Sequence, residues 1–137
     1  MCFGSSANPQ YGEITLTHHG SLCGVKLQHK SGEIWCTPTV KSYWGCPYKS
    51  RLQRALGIML TDTDNSRVFP KTFNADGWLY TVKGYGPNSN IVELIGFSYH
   101  VIKGERMRIW HSQDFKKLSP SNNKGSVCAK VFVKFNC

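Results

Sequence analysis

The sequence predicts an all-β protein: a β-sandwich or jelly roll of about nine or ten short antiparallel strands, stabilised by disulfides. Three observations carry the prediction. Apolar and polar residues alternate with a two-residue period in short runs, and these runs are cut by Gly, Pro, Asn and Asp at roughly eight- to twelve-residue intervals. Six cysteines lie in a chain of 137 residues, an even count of the kind that frames small extracellular domains. No stretch has a convincing 3.6-residue apolar period, and residues 48–57 are the one place where a helical turn fits. The length suits one domain, residues 1–137, with a hydrophobic share of 40% to build its core.

In chain order, residues 1–12 are small and polar and read as an N-terminal arm tethered by Cys2. Three short strands in a meander follow. Ile14, Leu16 and His18 share one face of the first; Cys23, Val25 and Leu27 share one face of the second; residues 33–36 form the third. Gly20-Ser21 and Ser31-Gly32 are the turns between them. Residues 37–54 form a loop with Pro38, Gly45 and Pro47. Residues 55–60 are apolar enough for a buried strand, and Asp62, Asp64 and Asn65 end it. Asn74, Asp76 and Gly77 mark the next turn, and Pro87, Asn88 and Asn90 another. Residues 91–102 are the most apolar run and read as the central strand. In residues 106–110, Met107 and Ile109 alternate with Arg106, Arg108 and Trp110. In the last run, Val127, Ala129, Val131, Val133 and Phe135 alternate with Cys128, Lys130, Phe132 and Lys134.

Three disulfides in an oxidising compartment are the natural use of the cysteines, since no C-x-x-C pair or zinc spacing is present. Cys2 with Cys137 would tie the two ends together, and Cys36 with Cys46 would close a short loop. This points to a secreted, extracellular protein. No signal-peptide stretch opens the chain, as expected of a mature form. No apolar run approaches the length of a membrane span, so membrane insertion is not expected.

Seventeen Lys and Arg against eight Asp and Glu give a net charge of +9. The disulfide reading argues against nucleic acid as the partner of that charge. The basic residues are scattered, as on a solvated surface. An alternative function uses them: Arg106, Arg108, Lys130 and Lys134 would form one cationic patch for sulfated or anionic glycans if their strands pair. A structural or adhesive matrix protein is a third reading.

No enzyme signature is present. There is no nucleophile elbow, no zinc-protease helix motif, and no carboxylate pair at a telling spacing. His18, His19 and His29 read as ordinary imidazoles rather than a metal site, because neighbours on a strand face opposite ways. Asp62 and Asp64 read as an Asx-rich turn in preference to a calcium loop. Tyr43, Trp44 and Tyr48 are a candidate sugar-stacking platform or, equally, an aromatic cluster under a loop. The strongest candidate site is the polar loop between the last two strands, because binding residues gather on loops held by a rigid sheet.

That ending, RIWHSQDF followed by SPSNNKGSVCAKVFVKF, resembles one found in secreted cnidarian and other marine-invertebrate lectin-like proteins, including a galactose-binding sea-anemone lectin. The similarity runs from Phe69 to Phe135 with gaps. It implies an extracellular, β-rich, carbohydrate-binding protein, commonly a homo-oligomer, with galactose-type glycans as partners. Gln113-Asp114 stands where the pattern has Glu-Asp, and Asn122-Asn123 where it has Asp-Asn. On this reading Trp110, His111, Gln113, Asp114, Asn122 and Asn123 form the site. Trp110 stacks on the sugar, while Asp114 and the amides orient its hydroxyls. No cofactor is required; calcium is the ion that Asp62, Asp64 or Asp114 would admit.

Overall fold

The computed structural model describes residues 1–4, 10–45, 54–73, 79–112 and 124–137. Among the described residues, nine strands form two antiparallel sheets. The first holds β1 (Cys2–Gly4), β9 (Lys124–Phe135), β3 (Gly20–Trp35), β4 (Lys41–Ser42) and β7 (Ile91–Val101). The second runs in the order β2 (Gly12–Thr15), β8 (Arg106–His111), β5 (Ile58–Thr61) and β6 (Arg67–Phe69). The inner faces close on one core. Leu22, Val25, Leu27, Ile34, Val92 and Leu94 come from the first sheet, and Ile14, Ile58, Leu60, Met107 and Ile109 from the second. The alternation seen in the sequence is the main cause: most strands have one apolar face, and two sheets bury those faces against each other, while β5 is buried at all four positions. The result is the expected disulfide-stabilised β-sandwich.

Several details differ from the sequence reading. The expected strands at 22–29 and 33–36 are one strand, β3, which is 16 residues long. Ser31-Gly32 is not a turn: the two residues pair with Cys128 and Val127 of β9, just past a bulge where the register shifts between His29 and Ser31. Gly32 has φ of +81°, and a Cβ there would meet the Ser126 carbonyl oxygen at 2.2 Å. Gly125 has φ of +93° and presses equally close to the Glu33 carbonyl. The two glycines let β3 and β9 bend past each other without breaking the pairing.

The central strand is also not residues 91–102. β7 pairs with β3, whereas β3 is flanked by β9 along its length and by β7 and β4 on its other side. Apolar content did not identify the centre, because it reports burial of a face and not hydrogen-bonded neighbours.

Cys2 is bonded to Cys128 and Cys23 to Cys137, so the expected Cys2–Cys137 pair is not made. Cys2 lies directly opposite Cys128 in the β1–β9 ladder, and that register decides the partner. Cys36 is disulfide-bonded too; Cys46, its expected partner, lies outside the described residues. Cys2 is bonded to Cys128 of β9, and Cys2–Gly4 adds a strand to the sheet.

Candidate functional site

β8 ends in the second sheet and β9 begins in the first, so the chain between them passes from one sheet to the other. Its departure point is tightly fixed. His111 pairs with Ile58, the Ser112 amide donates to the Gly57 carbonyl at 2.6 Å, and the Gly57 amide donates to the Trp44 carbonyl at 2.6 Å. Its return is fixed by Lys124 and Gly125, which pair with Trp35 and Ile34 on β3. Gln113, Asp114, Asn122 and Asn123 lie outside the described residues.

Trp110 and His111 are placed in the interior. Trp110 is 4% exposed. Its ring packs on Tyr11 with centroids 4.8 Å apart, and its Nε1–H donates to Thr61 Oγ1 at 3.0 Å. That ring is therefore not open for a sugar, contrary to the stacking role expected of it. The reason is that alternation fails at the end of β8: Ile109, Trp110, His111 and Ser112 are all buried. Tyr11 covers what would otherwise be the strand's outer face. His111 is fully buried, and burial pushes its pKa down to about 4. It is a neutral imidazole at physiological pH. Both residues form a rigid base for the chain that leaves at Ser112.

Of the aromatic loop, Trp44 is buried with Nε1–H donating to the Ser89 carbonyl at 2.6 Å. Tyr43 is half-buried and stacks on His29 at 3.6 Å; Tyr48 lies outside the described residues. The aromatic cluster under the loop is thus the better description of Tyr43 and Trp44. Sequence reasoning did not single out Trp35. Its half-buried indole sits across from Lys124, where the loop returns, with the Lys41 ammonium 5.3 Å from the ring centre. Its position beside a turn of β3–β4 gave no periodic signal.

The acidic turn is built as an Asx turn. Asp62 Oδ1 accepts from the amides of Asp64 at 2.9 Å and Ser66 at 2.8 Å. Among the described residues no group of three His, Cys, Asp or Glu side chains is clustered for a metal. His29 Nε2 contacts the Gly32 carbonyl at 2.7 Å, and His18 Nδ1 contacts Thr17 Oγ1 at 3.0 Å.

The expected cationic patch is divided. β8 and β9 do not pair, so Arg106 and Arg108 belong to one sheet and Lys130 and Lys134 to the other. Arg106 is paired with Glu13 at 3.2 Å. Arg108 donates to Asn65 at 2.9 Å and lies 4.3 Å from the centre of the Tyr11 ring.

These features define a class: a disulfide-linked β-sandwich that carries a polar loop from sheet to sheet on a buried, hydrogen-bonded base. No family profile and no curated relative matches the chain. Among solved structures, AJLec from the sea anemone Anthopleura japonica matches it with a TM-score of 0.84 and 30% sequence identity, over 98% of this chain and 92% of that one. The chain belongs to the family of this sea-anemone lectin.

Proposed function

We propose that the protein is a secreted lectin that binds cell-surface or microbial glycans without chemically altering them, with galactose-type sugars as its ligands. The match to a sea-anemone lectin across almost the whole chain carries the reading. The disulfides support an extracellular setting. Among the described residues, no helix is long and apolar enough to cross a membrane.

The proposed sugar contacts are Gln113, Asp114, Asn122 and Asn123, whose amides and carboxylate supply both donors and acceptors for hydroxyl groups. Trp110 and His111, both buried, serve as the fixed base from which the chain leaves for the loop. Trp35, beside the loop's return, takes the stacking role, since its indole is partly open and sugar C–H faces pack on such rings. Calcium remains the candidate ion, through Asp114. Single sugar sites are shallow, so binding to a cell surface calls for a homo-oligomer whose sites act together.

The test is a glycan array at moderate salt, with and without a chelator, on wild type and Asp114→Ala. Saturable binding to terminal galactose, lowered about tenfold or more in the variant, is the expected result. Unchanged binding by the variant removes the loop from the site. Loss of binding on chelation assigns a metal to it.

A further inference from the structure

The outer face of the first sheet carries a second, differently built surface. β3 contributes Gly24, Lys26 and Gln28; they lie across from Lys134, Phe132 and Lys130 of β9 in the antiparallel register. Gly24 has no side chain, so the strip between Ile95 on β7 and Lys134 on β9 is a groove of about 250 Å³ floored by backbone. Ile95 is 57% exposed and Phe132 38% exposed.

The cations here are arranged unlike those elsewhere. Lys130 and Lys134 are four residues apart on one strand, which separates their Cα atoms by about 13 Å, and Lys26 lies between them on the neighbouring strand. Phe132 gathers two of them: the Lys26 and Lys130 ammonium groups lie 4.7 and 5.2 Å from its ring centre. Among the described residues none of the three lysines makes an ion pair. Glu93 lies directly across from Lys26 on β7 and lines the same groove, where it offsets one of the three positive charges; its carboxylate accepts from the Tyr85 hydroxyl at 3.0 Å.

We infer that this face is a binding site for an acidic polysaccharide chain, separate from the neutral-sugar loop. A line of three ammonium groups without ion pairs among the described residues, beside an open groove, matches a ligand with repeated negative charges along an extended chain, better than one phosphate or one carboxylate. Cation–π contacts hold two of the ammonium groups in place without neutralising them, so no internal ion pair has to break when the ligand arrives. A membrane surface fits less well. The most exposed aromatic ring of the patch is covered by ammonium groups and lies on a pleated sheet, whereas interfacial binding needs an apolar face free to enter the acyl boundary.

The probe is immobilised heparin, with the intact protein, across a range of salt concentrations. Wild type should bind, with affinity falling steeply as salt rises. Lys130→Gln/Lys134→Gln should lose about tenfold in affinity and much of the salt dependence. Lys103→Gln/Arg106→Gln removes the same net charge from the turn after β7 and from the second sheet and should stay within about twofold of wild type. Equal losses in the two double variants would mean that bulk charge is responsible and would overturn the site. So would capture by phosphatidylserine vesicles without heparin binding. Thermal melts establish that each variant is folded. Neutral-glycan binding by the Lys130/Lys134 variant should be intact, so failure of this inference is distinct from failure of the lectin reading.

Discussion

β8 and β9 hold the two ends of the same loop, yet they treat their side chains in opposite ways. β8 runs inward: its last three residues and Ser112 beyond them are buried, and both its arginines have partners. β9 stays on the surface beyond Ala129, with Phe132 and Val133 open and two lysines without ion pairs among the described residues. The loop is thus anchored by a strand that contributes stability and released by a strand that displays surface. For the sugar contacts proposed on this loop, one immovable end matters, because an anchor that shifts would blur the position of every contact that depends on it.

The sharpest way to break the contrast is at Trp110. Trp110→Ala removes a buried ring and leaves Thr61 Oγ1 without its indole donor, and should cost about 3–5 kcal/mol in denaturant unfolding at pH 7. A cost below about 1 kcal/mol would mean that β8 is not the rigid end.

Next in size is the effect of acid on His111. Its folded pKa of about 4 lies below the ordinary value of 6.5, so the unfolded chain takes up the proton first. Its contribution is fully present above pH 6.5, declines as pH falls, and is gone near pH 4. The total is about 3 kcal/mol, from the size of the shift. His111→Asn should flatten this part of the stability–pH profile. A profile unchanged by the substitution would show that His111 does not set it.

The smallest effect belongs to β9. Lys130→Gln/Lys134→Gln should alter unfolding free energy by no more than about 0.5 kcal/mol, because neither side chain is buried or, among the described residues, ion-paired. A larger change would erase the division of labour between the two strands.

Most strands were legible in the sequence because they bury one face, which writes a two-residue period; β5, buried at all four positions, was legible as a short apolar run. Where burial had another cause, the reading failed. Trp110 occupies an outward position by alternation and is buried because Tyr11, distant in sequence, lies over it. Ser31-Gly32 carries the chemistry of a turn, but the same positive φ serves a close approach to the Ser126 carbonyl inside a long strand. The separation of Arg106 and Arg108 from Lys130 and Lys134 depends on which sheet each strand joins, and that is a property of topology with no local signature. The loop was identifiable by composition, whereas the lysine row on the other face was not, because Lys26 and Lys134 are 108 positions apart and meet only through pairing.

The disulfides have a consequence for the loop. Cys2–Cys128 and Cys23–Cys137 each join the first part of the chain to its last stretch. A protease that cuts once anywhere between residues 24 and 127, the loop included, therefore produces two fragments that stay covalently joined. In a protein exposed to digestive enzymes, a nick is not a loss of the molecule. Under non-reducing conditions the cut chain would migrate as one species, and only reduction would separate the C-terminal strand from the rest.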